Sequence, residues 1–518
     1  MGLDANAVYL RRLGGWSRLW LGGGIGVKCS EAPGRTSVCQ DQCLLPGASV
    51  PAYRATALPA AATVPLGLIE EVVAESGCRE RRRRLLPAAA VMVFVLGCCL
   101  FSGDGYEEVA RKLAGWLGQL AGPGWRVPGA SALAKARRRL GAGPFELLFS
   151  RLAGPLAGPG TPGAGAFGLV MMAIDGTTLE VPYSPVNVAA FGPPQPGRGA
   201  GGGFPLVRLV TVTGCGTRGL AGAEFGPFAD SEQKLARQLA ARHVLGPGMV
   251  VLADRNFGGH AVVAAVTGTG AEVIVRVRSC QHLPVMQALA DGSWLSVLPD
   301  RAAARRRIEL NSARRRHSKK LGPDTSPLPG IPVRVIEFTV TVTGAQGSRS
   351  ERYRLITTLL DPVQAPAGQV AACYAQRWEA ETGYRELKTT LRGPGRVLRS
   401  RDAAMVRQEI WALLCACQLL HAQRAAAAAA APRRLDPDRI SFIITLHAIR
   451  RNILTSHPRR HIISEILSQP LPARRNRSYP RLLLAKTAAR RNASTGHNGT
   501  VTYTIAIIRP ASTTQPGP

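Results

Sequence analysis

Two stretches of continuous apolar residues, each closed by an acid, constrain this chain more than any other feature. GLVMMAIDG (168–176) and GMVVLADRN (248–256) are short and bounded by glycine. That is the pattern of strands covered on both faces. Such strands require helices above and below them, so they predict an α/β layer. The neighbouring segments agree. PLVRLVTVTG (205–214), RGLAGAEFG (218–226) and AEVIVRVRS (271–279) read as further strands. A helix opening at Asp230 or Ser231 runs through His243, and GGHAVVAAVTG reads as another. The glycine run GRGAGGGF (197–204) neither follows an apolar strand nor opens a helix, so it reads as a loop between strands.

The closing acids, Asp175 and Asp254, stand out because acids are scarce: 33 Asp and Glu against 65 Lys and Arg, a net charge of +32. An acid at the end of a central strand projects into the crevice where ligands bind in such layers. Either one alone could be a turn or capping residue. Two facing each other repel unless a cation sits between them, and an all-oxygen donor set suits magnesium or manganese better than zinc. The positive excess calls for a polyanionic partner, nucleic acid first and anionic membrane second.

A third acid is expected from the helical stretch YAQRWEAETGYRELKTTLRG, which offers Glu379, Glu381 and Glu386. Tyr374, Arg377, Glu381 and Lys388 sit at offsets that share one helical stripe, and Glu386 lies well round from it. A row of phenol, guanidinium, carboxylate and ammonium can hold a metal with phosphates on either side. An amphipathic surface helix with internal ion pairs gives the same spacing.

The rest of the chain divides by texture. Residues 1–63 form a leader without periodicity, expected to be poorly ordered. Residues 64–155 predict an all-α unit: Leu66, Ile69, Val72 and Val73 share a face, an apolar helix follows at 88–100, and SALAKARRRL (131–140) has Ser131 as a candidate cap and basic residues at its end. A Gly/Pro linker covers 154–166. Residues 280–352 interrupt the α/β layer with a basic loop (301–320) and a strand (331–344), and YRLITTLL (353–360) is a further strand. Helices are expected from Pro366 to about Arg392 and over 403–424, with a low-complexity Ala425–Ala431 after them. Residues 456–518 read as a basic, largely disordered tail. Leu85–Phe101 falls short of a spanning helix and contains Pro87, so no membrane segment is expected. Eleven scattered cysteines without a CxxC fit a reducing compartment. No GxxxxGK[ST] or GxSxG occurs, so neither a nucleotide nor a serine nucleophile is expected.

The spacing Tyr374-x2-Arg377-x3-Glu381-x6-Lys388 resembles the YREK signature of bacterial cut-and-paste transposases of the insertion-sequence-four family. AIDGTT (173–178) and LADRNF (252–257) resemble that family's two aspartate motifs, and the likeness covers about 64–455. The resemblance implies an α/β fold: a ribonuclease-H-like catalytic core over 167–455 with a β-rich insertion at about 280–352, preceded by an all-α DNA-binding domain over 64–155. It implies a triad of Asp175, Asp254 and Glu381 holding two Mg2+ (or Mn2+) ions. Tyr374, Arg377 and Lys388 would contact DNA, with Arg255, Thr177 and Thr178 beside the aspartates, and Tyr353 and Trp294 as candidates to stack on an unpaired base. The implied partners are double-stranded DNA, as terminal inverted repeats and target, and a second copy of the chain, in a cytoplasmic, nucleoid-associated setting. A decayed DNA-binding copy that no longer cuts, and a nuclease that cuts without joining, are the rival readings.

Overall fold

The computed structural model describes residues 65–473 and 502–510, apart from residues 83, 123, 195–202, 318–328, 345–346, 394, 396 and 456–458. The expected leader, most of the glycine run and much of the tail therefore lie outside the described residues. All described residues belong to one compact unit, 50–518.

Six helices come first: α1 (Leu66–Glu75), α2 (Ala88–Leu100), α3 (Tyr106–Lys112), α4 (Ala114–Ala121), α5 (Ala130–Leu140) and α6 (Gly143–Leu152). The apolar face foreseen for α1 is the buried one, through Ile69, Val72 and Val73. Ser131 does not cap α5. Gly129 occupies that position, and Glu107 Oε1 accepts the Ala130 N–H at 2.9 Å in place of a capping side chain.

The strands are β1 (Gly165–Ala166), β2 (Leu169–Glu180), β3 (Leu206–Gly214), β4 (Leu220–Pro227), β5 (Met249–Ala253), β6 (Glu272–Arg276), β7 (Gln287–Ala288), β8 (Trp294–Pro299), β9 (Gly330–Gly344), β10 (Gly347–Thr357) and β11 (Thr502–Ile508). They form one sheet in the order β4-β3-β2-β5-β6-β10-β9-β8-β7, with β1 on β2 and β11 on β9. β2, β5 and β6 run parallel, and the other pairings are antiparallel.

Short helices α7 (Pro185–Phe191), α8 (Glu232–Ala241) and α9 (His260–Thr267) come between these strands. Ser231 caps α8, its hydroxyl accepting the Lys234 N–H at 3.2 Å. Val170, Met172 and Ile174 of β2 pack with Leu235 and Leu239 of α8 and Val262, Val263 and Val266 of α9. The alternate residues Met171 and Ala173 pack with the helix that follows β10, α11 (Ala367–Tyr374). That two-sided covering is why β2 and β5 are continuously apolar.

Three expectations for the second half are corrected. The basic segment after β8 is a helix, α10 (Arg301–His317), where a loop was expected. The strand expected at 353 begins at Gly347, because it forms a hairpin with β9 from Gly347↔Gly344 onward. Its end pairs with β6 through Leu355↔Arg276, so the interrupting segment extends the central sheet. The low-complexity alanines continue the long helix, α13 (Ala403–Ala430), since alanine is the best helix former and Ala427 and Ala428 are buried.

The helical N-terminal layer does not close its core alone. α2 and α6 pack against α13, and one cluster joins Phe94, Phe145 and Leu148 to Trp411, Leu413 and Leu420. α13 is long and apolar enough to cross a membrane by length and composition, and its apolar residues are largely buried within the protein. Helices α14 (Phe442–Thr455) and α15 (Arg459–Leu467) follow. With β11, α15 gives ordered structure to part of the segment expected to be a disordered tail.

Candidate active site

Ile174 of β2 pairs with Ala253 of β5 in parallel register. The residues that follow, Asp175 and Asp254, therefore lie level on adjacent strands, whose spacing is about 5 Å. Alternation places Asp175 on the same face as Met171 and Ala173, and Asp254 continues the row of Val250 and Leu252, so both acids face the layer of α11. Asp254 stands just past the end of β5, as expected. Asp175 does not end its strand: β2 runs on to Glu180, and Asp175 pairs with Thr211 of β3. Antiparallel β3 goes on supplying backbone partners to β2 beyond the point where β5 stops.

The segment expected to supply the third acid is not a uniform α-helix. A 3-10 turn (Ala375–Arg377) follows α11, then α12 (Trp378–Arg385), then a π-helical turn (Glu386–Leu391). Even so, the predicted row of side chains largely converges. Arg377 reaches Asp175 Oδ2 through Nη1 at 3.4 Å and Glu381 Oε1 through Nη2 at 3.1 Å. Lys388 Nζ is 3.2 Å from Thr177 Oγ1, two residues along β2 from Asp175. Tyr374 is buried at the end of α11, and burial pushes its phenol up to about 12 against the opposing pull of Arg377.

Electrostatics mark the centre. Burial raises the Asp175 carboxyl to about 6; Arg377 and the Gly176 N–H oppose this rise, and Glu381 and Asp254 add to it. The Gly176 N–H donates to Asp175 Oδ1 at 2.8 Å. An added Cβ there would stand 2.4 Å from the Glu232 carboxyl carbon, so any larger residue would displace the Glu232 side chain. Glu232 binds Arg208 at 3.1 Å and the Asn256 side-chain amide at 2.6 Å, and the Asn256 N–H donates to Asp254 Oδ1 at 2.8 Å. Burial, together with nearby Arg392, lowers the Lys388 pKa, and Glu180 partly offsets this.

Other expected residues fall at the margin. Arg255 is exposed on the turn after β5. Thr178 pairs with Arg208 across β2 and β3. The Tyr353 ring stacks on Phe338 at 5.3 Å, and Arg276 lies over it at 4.1 Å. Trp294 is buried in the core on the α8 and α9 side of the sheet.

Sequence reasoning passed over Tyr384, Asn256, Glu232 and Arg218. Tyr384 was within reach, since it lies seven residues beyond Arg377 in the same stripe. Its hydroxyl donates to the main-chain carbonyl of Asp175 and lies 2.9 Å from Thr211 Oγ1, so it ties α12 to both β2 and β3. Arg218, which holds the far side of α12, gave no local signal.

Among the described residues, no three His, Cys, Asp or Glu side chains converge closely enough to enclose an ion. Arg377 stands between Asp175 and Glu381. In kind, however, the donors fit a hard divalent cation. They are oxygen only, and Asp175 is a part-buried carboxyl whose pKa is raised first by burial and further by Glu381 and Asp254, a cost that a cation relieves.

Comparison with known proteins agrees with this architecture. The insertion element 4 transposase N-terminal family matches residues 56–150, and the transposase DDE domain family matches residues 167–419. Transposase InsG for insertion sequence element IS4 of Escherichia coli K12 is 28% identical over 428 residues, covering 80% of this chain and 89% of that protein. Putative transposase InsZ of the same organism is 27% identical over 194 residues, 38% of this chain and 62% of that protein. A solved piggyBac transposase synaptic complex with hairpin DNA is 11% identical, covers 79% of this chain and 83% of that one, and has a TM-score of 0.34, too low to bear on the fold. Two successive family models in the expected order, a relative matched over most of its length, and acids on adjacent strands beside a YREK helix lead to one conclusion: the chain belongs to the insertion-sequence-four family of DDE transposases, enzymes that act on DNA.

Proposed function

We propose that this transposase works by cut and paste, cleaving DNA at the ends of its element and joining those ends to target DNA. The observation that carries the reading is the level placement of Asp175 and Asp254 on one sheet face, with Glu381 joined to Asp175 through Arg377. Asp175, Asp254 and Glu381 would hold two Mg2+ or Mn2+ ions. Bound there, the ions supply activation of water or a 3′-hydroxyl and stabilisation of the leaving oxygen. The chain's own residues supply position. Arg377, between Asp175 and Glu381, and Lys388, beside Thr177, present cationic groups for phosphates flanking the cleaved bond, and exposed Arg255 adds a contact on the Asp254 side. Tyr374 and Thr177 back up Arg377 and Lys388. Tyr353, already stacked on Phe338, would border the DNA more than intercalate in it.

The order β4-β3-β2-β5-β6, with two antiparallel strands beside three parallel ones and helices on both faces, supports a ribonuclease-H-like core within 167–455. The helical segment 64–155 would hold the terminal inverted repeats. Two protomers would bridge two ends, in a cytoplasmic, nucleoid-associated setting.

The test is cleavage and strand transfer on duplexes carrying the flanking ends, in Mg2+ or Mn2+, beside Glu381→Ala. Nicking at the ends and joining to a second duplex, both lost on chelation and in the variant, are expected. Salt-sensitive binding without cleavage in either metal would sink the reading. Cleavage without joining would leave a nuclease.

A further inference from the structure

We propose that Arg218, in the turn between β3 and β4, is the positioning residue that fixes the catalytic helix, and with it Glu381, over the sheet. This rests on the reading of Glu381 as the third acid.

Arg218 is 5% exposed and adopts φ +61°, a left-handed conformation that costs a side-chain-bearing residue roughly 1–2 kcal/mol. Its N–H donates to the Gly214 carbonyl at 2.8 Å, closing the turn. From there each of the three guanidinium nitrogens meets a carboxylate. Nε binds Glu379 Oε2 at 2.8 Å, Nη1 binds Glu386 Oε1 at 2.8 Å, and Nη2 binds Asp438. The guanidinium meets the three acids from three separate nitrogens of one rigid plane, whereas a lysine carries its three donors on a single nitrogen and cannot reproduce that geometry.

Glu379 and Glu386 are seven residues apart and so share one face of the helix, while Glu381 lies about 200° round from Glu379, on the other face. Arg218 therefore holds the back of the segment whose front carries the third acid. Glu386 also opens the π-helical turn, at the point where Lys388 is re-aimed toward Thr177. Arg424 of α13 contacts the other Glu386 oxygen at 3.5 Å, which fixes the junction from a second side. The anchor is rigid at its root. β3 pairs residue by residue with β2, Thr211 opposite Asp175, and Arg218 stands just past the end of β3. The spacing of Asp175 and Glu381 is thus set through β2, β3, Arg218 and the paired glutamates.

Stability alone does not account for this arrangement. A buried ionic cluster is often no more stable than an apolar replacement of the same volume, and a left-handed arginine adds cost. Strained backbone and fully used charge beside a catalytic helix are devices for holding one geometry.

The experiment compares wild type, Arg218→Lys, Glu379→Gln and Glu381→Ala as full chains, in Mn2+-binding titrations followed by electron paramagnetic resonance and in end cleavage across Mg2+ concentrations. Melting temperature and end binding are measured alongside. Arg218→Lys is expected to weaken Mn2+ binding several-fold, to raise the Mg2+ needed for half-maximal cleavage to a similar extent, and to slow cleavage at saturating metal at least tenfold, with end binding kept. If Arg218→Lys does not fold, Glu379→Gln, which removes one of the three partners, should show the same shifts in smaller measure. Unchanged Mn2+ affinity and metal dependence in a folded variant, whatever its melting temperature, would overturn the proposal. A wild type that binds Mn2+ but does not cleave would sink the cut-and-paste reading alone, because the affinity comparison still decides this one. A wild type that binds no Mn2+ would remove both.

Discussion

Glu381 and Glu386, five residues apart on one helical segment, serve opposite sides of it. Glu381 meets Arg377 beside Asp175 and is one-third exposed, whereas Glu386 is buried between Arg218 and Arg424. Replacing each by alanine should therefore fail differently. Glu381→Ala is expected to melt close to wild type and bind ends normally, yet show no cleavage. Glu386→Ala leaves two arginines short of a partner and is expected to lose about 3–5 kcal/mol of stability, the scale for breaking a buried ion pair. Melting curves with cleavage assays on both variants decide it. A stable, inactive Glu386→Ala beside an active Glu381→Ala would mean the third acid was misassigned.

Lys388 reaches Thr177 on β2 from the π-helical turn, near enough to Asp175 to hold a phosphate next to the cut. Each phosphate neutralised contributes about −0.9 to the slope of log K against log salt. Lys388→Ala is expected to weaken end binding and to reduce the magnitude of that slope by about 1 in a binding titration across salt. A parallel line with an unchanged slope would remove Lys388 from the DNA contact.

How much of this was legible follows from where each interaction is encoded. Asp175 and Asp254 could be read because burial on both faces forces a run of apolar residues, and an acid at its end is conspicuous. The placement of Glu381 with Arg377 beside Asp175 was legible through helical spacing, although the real segment contains 3-10 and π turns, and Lys388 reaches Thr177 despite them. The end of β2 was not legible, because its last residues are held by antiparallel β3. Arg137 shows a similar limit. It sits among the basic residues that end SALAKARRRL, yet it is buried, with its Nε on Gln408 of α13 at 3.0 Å. Arg218 and Glu386 meet only after folding, 168 residues apart in sequence, so no local pattern announces them.

β11 was hidden for the same reason, since an isolated run of seven residues in a polar tail declares no partner. Thr502–Ile508 pairs with β9 from Thr343 to Glu337, beyond the stretch that β8 covers. Ending the chain at residue 500 would uncover that edge, including backbone beside Phe338 and Val340. Unpaired apolar edges template association. The truncated chain is expected to form concentration-dependent oligomers in sedimentation, with end cleavage per soluble protomer largely kept. A monodisperse truncation would show that β11 does not guard the edge.

His421 gives the pH prediction. It is fully buried on α13, with Nε2 3.3 Å from Cys417 Sγ, Nδ1 3.2 Å from Arg424 Nη1, and the Glu386 carboxylate 4.0 Å away. Burial first, then Arg424 and Arg218, holds its pKa well below the usual 6.5, so the folded imidazole stays neutral and accepts from Arg424. The sign follows directly. Above pH 6.5 the imidazole is neutral in both folded and unfolded chains and adds no pH dependence. Below it, the unfolded chain takes up a proton that the folded chain refuses, and stability falls by at most about 1.4 kcal/mol per pH unit from this group. Wild type and His421→Gln should therefore differ in unfolding free energy by a constant amount from pH 7 to 8, with wild type losing ground steadily from pH 6.5 to 5. Denaturant titrations at each pH measure this difference. A difference that stays flat down to pH 5 would mean that His421 is protonated in the fold, with the nearby Glu386 carboxylate outweighing burial and the two arginines.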